Sequence, residues 1–209
     1  MSGGVFTTRR RDTTLTRTML RVSQGTSIVM GAPMAVAPAA APPLLAVPYH
    51  QQTQNNWCWA ACCQMVFDYY RTNNLQQCDL ASQRFGQTCC LNPSSSQCDQ
   101  GEWPENVYPT YQMGFTKLNS AMSFADVTAE LSSRRPVEVY YAWNGGGAHV
   151  ALITGVFDNG DVWVHDPWPS YGSGRRAFSF VQSAYGLGRW TISYDDIHPA
   201  SAMTGGGTV

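Results

Sequence analysis

The apolar residues of this 209-residue chain change period midway, and the order of the two periods restricts the fold more than any other feature. From Trp57 to Arg71, Ala61, Met65, Val66, Tyr69 and Tyr70 fall at helical spacing; Asn55-Asn56 supply an N-cap and Asn73-Asn74 a stop. Residues 75–120 carry few periodic signals and read as loop. Phe124, Val127 and Leu131 then share one face of a short helix over 124–133, which Pro136 ends. Beyond it, Val137 to Trp143, Ala148 to Phe157 and Asp161 to Asp166 are β-branched and aromatic, with the hairpin signal Asn159-Gly160 between the last two. Gly188 to Tyr194 makes a further strand. Helices first and antiparallel strands later predict an α+β domain.

Apolar residues make up 44% of the chain and charged residues 13%, so it can bury a core and is not a disordered chain. The net charge is −1, with no basic cluster beyond the first 21 residues, which argues against a nucleic-acid partner. No run of apolar residues is long enough for a membrane span. Seven cysteines let six pair and leave one free thiol, a pattern that suits an oxidising destination. Cys78, Cys89, Cys90 and Cys98 could instead ligate zinc, but adjacent cysteines seldom share an ion and no pair has the usual gap. Spacing therefore favours disulfides, drawn from Cys62, Cys63, Cys78, Cys89, Cys90 and Cys98, and no metal site.

Residues 1–45 read as a disordered leader: Arg9, Arg10, Arg11, Arg17 and Arg21 with one acid, Asp12, then an Ala/Pro-rich segment. An export signal with a small-residue cleavage site near Ala35-Val36-Ala37, a leader read by a specialised secretion machine, and a plain flexible tail all remain open. The first two imply a secreted protein. The domain is expected over 46–199, and the Gly-rich residues 200–209 as a flexible tail.

Cys58 stands at the start of the first helix, where unpaired amides and the macrodipole favour a thiolate. Cys62 and Cys63 lie one turn deeper, where that effect fades. Gln51-Gln52-Thr53-Gln54-Asn55-Asn56-Trp57-Cys58-Trp59-Ala60-Ala61 resembles the nucleophile segment of papain-like cysteine proteases, and Gln64-Met65 with Tyr69-Tyr70 extends the likeness to the bacterial branch of avirulence-effector proteases and double-glycine leader peptidases. The resemblance implies a papain-like fold, with an N-terminal catalytic helix packed on a C-terminal antiparallel sheet. It also implies Gln52 as an oxyanion donor beside the Cys58 amide.

Of four histidines, His50 has no orienting pattern, His198 precedes Pro199 near the tail, and alternation turns His165 away from the face of its neighbour Asp166. His149 follows Gly145-Gly146-Gly147-Ala148 and opens an apolar strand; with Val164-His165-Asp166-Pro167-Trp168, this resembles the family's histidine strand and acid–Pro–Trp turn. The resemblance therefore implies a Cys58–His149–Asp166 triad that needs no metal or organic cofactor. His149 follows Cys58 by 91 positions, fewer than the roughly 130–150 of papain-type enzymes, so the substrate lobe should be trimmed. The tryptophans read as core, although Trp143 and Trp168 could wall a peptide groove.

Simple register does not deliver the triad. A two-residue turn at Asn159-Gly160 pairs residues whose numbers sum to 319, which sets Asp166 opposite Ile153. Ile153 shares a face with His149 but lies roughly 13 Å along the strand, so a bulge or wider turn must close the gap. The expected function is peptide-bond hydrolysis by a secreted bacterial effector or toxin acting on a protein or peptide substrate, with room for a proteinaceous inhibitor or immunity partner. A cysteine amidase acting on cell-wall peptides and a disulfide-stapled, non-catalytic binding module are the alternatives.

Overall fold

Helix α1, Cys58–Tyr70, is buried on every side from Trp59 to Phe67, as an all-round apolar sequence requires. The computed structural model describes residues 44–200; the leader expected over 1–45 lies outside them apart from its last two residues, as does the tail apart from Ala200. The asparagines before α1 do not cap it. Trp57 holds the N-cap position without a side-chain bond, because Asn56 is spent on Asp99, its backbone N–H reaching the carboxylate at 2.8 Å and its amide the carbonyl at 2.9 Å. The helix stops at Arg71, which takes a left-handed conformation (φ 54°) ahead of the expected asparagines.

The segment expected to be loop holds helix α2, Gln77–Phe85, two 3-10 turns and strand β1, Met113–Leu118. Disulfides Cys78–Cys90 and Cys89–Cys98 tie it together. The four cysteines weighed as zinc ligands are thus joined in pairs. The expectation of six paired cysteines is corrected: Cys58, Cys62 and Cys63 are free, because the last two lie inside the core on α1 with no cysteine partner. Helix α3, Phe124–Ser132, is capped by Ser123, whose hydroxyl accepts the Asp126 N–H.

Strands β2 (Val137–Trp143), β3 (Ala148–Val156), β4 (Asp161–His165), β5 (Ser173–Ala177) and β6 (Gly188–Pro199) complete the domain, with helix α4, Phe178–Gln182, after β5. The sheet is antiparallel throughout, in the order β1-β6-β2-β3-β4-β5. Both α1 and α3 pack on β3, which is buried from His149 to Val156 and so reads as a continuous apolar run. Among the described residues no helix is long and apolar enough to cross a membrane.

The β3–β4 hairpin differs from its expected register twice. Phe157 donates to the Asp161 carbonyl across a three-residue turn, and Gly155↔Trp163 gives way to Ile153↔Val164 with Thr154 as the extra residue. The Thr154 carbonyl accepts the Leu45 N–H at 2.8 Å. Next to it Gly155 admits Leu44: an added Cβ would stand 2.5 Å from the leucine Cδ1. The strap that begins there runs to the acid turn, where the Gln52 N–H meets the Pro167 carbonyl and the Tyr49 hydroxyl the Asp166 carbonyl.

Candidate active site

Cys58 is the first residue of α1 and half-buried. The stapled segment clamps this end of the helix: the indole N–H of Trp57 donates to the Cys98 carbonyl at 2.7 Å, and that of Trp59 to the Gln100 carbonyl at 3.0 Å. The thiol therefore projects from a fixed turn whose first amides lack intrahelical partners.

His149 is the second residue of β3, opposite Tyr141 of β2. The β2–β3 turn that presents it requires φ 88° at Gly146 and 84° at Gly147, values glycine adopts freely. His149 Nε2 lies 2.7 Å from Asp166 Oδ1, with both side chains buried. Nδ1 is then the ring nitrogen left for the Cys58 thiol, which lines the same cavity and is close enough to raise the imidazole pKa. Burial alone would lower the imidazole pKa; the hydrogen bonds to Asp166 and Cys58, and the negative charges of both, outweigh it and raise the pKa from 6.5 to about 10.

Asp166 has no exposed surface. Its Oδ1 also accepts the Trp168 N–H at 2.8 Å, and its Oδ2 accepts the Tyr185 hydroxyl at 2.8 Å. Trp143 stacks on the imidazole (5.8 Å, 20°) and Trp168 meets its edge (6.1 Å, 90°). Both indoles, with Trp103 and Tyr140, wall a cavity of about 430 Å³ onto which Cys58 and His149 open.

The other histidines lie elsewhere. His50 pairs with Asp68 at 2.6 Å, and His198 bonds the Asp196 carbonyl. His165 stacks on Tyr49 on the far side of the sheet from His149, its pKa pushed down to about 4 by burial. Gln52 is buried, and its amide N–H groups reach the carbonyls of Gln54 and Asn55, each at 2.8 Å. To serve as an oxyanion donor it would have to release one of them.

Sequence reasoning missed Tyr185, Trp103 and Tyr140. No periodicity marks Tyr185, which lies in a 3-10 turn between α4 and β6. Trp103 and Tyr140 are far apart in sequence and meet as a parallel stack at 4.6 Å.

A thiol at a helix N-terminus, an imidazole within its reach and a buried carboxylate on the far ring nitrogen are the groups that acyl transfer through a thioester uses. A family model described as papain-like cysteine protease AvrRpt2 matches residues 44–184. Among solved structures, the peptidase domain of Streptococcus ComA, a bi-functional ABC transporter of a quorum-sensing pathway, is similar in fold. It has a TM-score of 0.52 and 16% identity, over 73% of this chain and 98% of that one. A C39-like peptidase from Bacillus anthracis has a TM-score of 0.51 and 15% identity, over 74% and 96% of the two chains. No curated protein sequence matches the chain.

Proposed function

Because this chain belongs to the family of papain-like cysteine proteases that the AvrRpt2 model describes, we propose that it hydrolyses peptide bonds with Cys58 as nucleophile, His149 as acid and base, and Asp166 as the group that orients the imidazole. The observation that carries this reading is the 2.7 Å contact between His149 Nε2 and Asp166 Oδ1, which leaves Nδ1 for the thiol.

The Cys58 thiolate attacks the substrate carbonyl, whose electrons move to the oxygen. The Cys58 N–H, free at the helix start, donates to that oxyanion, and Gln52 joins it by giving up one carbonyl. The intermediate collapses to a thioester as the leaving amine takes the His149 Nδ1 proton. Nδ1 then removes a proton from water as the water oxygen adds to the thioester carbonyl; the C–S bond breaks, the acid leaves, and the sulfur takes the proton back from Nδ1. A raised imidazole pKa suits the first half, since the ring must carry the proton that the Cys58 sulfur has lost. Trp143 and Trp168 flank the imidazole and would hold the peptide against it.

The substrate is a protein or peptide. Export into another cell as an effector or toxin is the setting that the arginine-rich, acid-poor leader supports, and an inhibitor or immunity partner would suit such a setting. Wild type and Cys58→Ala should be incubated with a panel of protein substrates. Cleavage by wild type and a loss of more than about a thousandfold in the variant are expected. Equal cleavage by both would end the assignment of Cys58, and cleavage of cell-wall peptides alone would move the substrate to that class.

A further inference from the structure

We propose that Tyr185 is a positioning residue of this site, its hydroxyl fixing the Asp166 carboxylate in the rotamer that turns Oδ1 toward His149. This rests on the triad reading above and adds a residue beyond the stretch, 44–184, that the family model matches.

The argument begins with the carboxylate's hydrogen bonds. Asp166 is fully buried, so neither oxygen is served by bulk solvent. Oδ1 accepts from His149 and from the Trp168 backbone, while Oδ2 is met, among the described residues, by the Tyr185 hydroxyl alone, at 2.8 Å. Without that donor Oδ2 is a buried, unpaired acceptor, and rotation of the carboxylate would satisfy it at the expense of His149.

The backbone of Tyr185 is a second, independent sign. Ala184 (φ 45°) and Tyr185 (φ 61°) are consecutive non-glycine residues in the left-handed region, where a bulky side chain is an outlier. Surrounding contacts impose this conformation: the ring lies 4.4 Å from that of Tyr171 and 5.3 Å from those of Phe180 and Tyr141. The Tyr141 hydroxyl donates to that of Tyr185 at 3.4 Å, which leaves the Tyr185 proton for Asp166. Burial holds the phenol pKa far above its ordinary value, so it donates at any working pH. Strain held in place by its surroundings is characteristic of functional positions. Among the described residues, the titratable and charged groups facing this cluster are His149 of β3, Tyr141 of β2, Cys62 of α1, Arg176 of β5, Tyr49 of the strap and Tyr171 of the loop before β5.

The test is a double-mutant cycle of Tyr185→Phe and Asp166→Asn, reading kcat, KM and the rate of Cys58 alkylation against pH, with thermal unfolding alongside. Tyr185→Phe should lower kcat by roughly tenfold or more at unchanged KM. It should also slow Cys58 alkylation, because a carboxylate turned away from Nε2 no longer orients the imidazole. Added to Asp166→Asn it should cost nothing further, since its effect passes through that carboxylate. A kcat within twofold of wild type, or an equal loss in the Asp166→Asn background, overturns the proposal. Should Tyr185→Phe fail to fold, Tyr141→Phe carries the test: slower alkylation is expected, and a rate within twofold of wild type overturns it. If Cys58→Ala retains activity, the triad reading itself falls; if only Tyr185→Phe is silent, this proposal falls alone.

Discussion

Glu138 is the second residue of β2, paired with Leu152 of β3 on one side and Tyr194 of β6 on the other, with no exposed surface. Its Oε2 accepts the Tyr108 hydroxyl at 2.6 Å, and its Oε1 meets no partner among the described residues. No cation faces it. Burial, only partly offset by the Tyr108 bond, raises its pKa from 4.5 to about 8, within the range known for buried glutamates. The folded chain therefore holds this proton across a window in which the unfolded chain has lost it. With the folded pKa raised for an acid, there is no penalty below pH 4.5; the penalty grows as pH rises to about 8 and is constant above. At roughly 1.4 kcal/mol per pH unit, it amounts to about 3 kcal/mol at pH 7 and about 5 kcal/mol at its full extent. Glu138→Gln imitates the protonated side chain and keeps an acceptor for Tyr108. Denaturant unfolding of the Cys58→Ala protein, with and without Glu138→Gln, should give equal stabilities near pH 4.5. The substituted chain should then gain steadily until about pH 8. Other titrating groups are common to both proteins and cancel in the difference. A difference independent of pH, or a variant less stable at pH 7, would refute the claim that Glu138 is neutral in the folded state.

Two further outcomes follow from the site. The His149 pKa is raised, so the charge that protonates the leaving amine, and the stability of its pairing with Asp166, are fully present below about pH 6.5 and lost as pH rises through about 10. The alkaline limb of kcat/KM should accordingly lie near 10 in wild type and move toward 6.5 in Asp166→Asn; an unmoved limb would dissociate it from this pair. The Cys89–Cys98 disulfide spans a nine-residue separation, and replacing both cysteines by serine should cost about 2–3 kcal/mol. Because that loop holds Asn56 and Trp57 at the start of α1, kcat should fall with it. Unchanged kcat in the folded double variant would show that the clamp is not needed.

What could be read from the sequence follows from what is local. β2, β3, β4 and α3 lie within about a residue of their expected spans because a run of β-branched or amphipathic residues declares its own period. β5, Ser173–Ala177, has no such declaration: its Ser, Gly and Arg residues favour no sheet, and only pairing with β4 makes it a strand. β1 was hidden for a similar reason, being an edge strand whose burial does not alternate. The choice of Cys58, His149 and Asp166 came from motif resemblance, and the non-catalytic binding module weighed beside it loses its ground once the chain belongs to a protease family. Tyr185 had no motif to declare it, because its value depends on a turn conformation that only the folded chain imposes.

Register shows most clearly why the sequence could nominate His149 and Asp166 without bringing them together. Opposite residues of an antiparallel pair share a face, so the partner of Asp166 on β3 decides whether its carboxylate meets His149. The two-residue turn sets that partner at Ile153, on the right face but about 13 Å away. Widening the turn by one residue, as Val156↔Val162 records, would set it at Leu152 and send the carboxylate through to the other side of the sheet. The bulge at Thr154 would do the same by itself. The two together bring Leu152 opposite His165, and, carried one residue on, Ala151 opposite Asp166. The face is restored and the offset falls to roughly 7 Å, which the side chains bridge. Each irregularity is destructive alone and useful with the other, and the strap holds the second by placing the Leu45 N–H on the Thr154 carbonyl. The 2.7 Å contact between His149 and Asp166 thus depends on a bulge later in the histidine's own strand and on the turn that follows it.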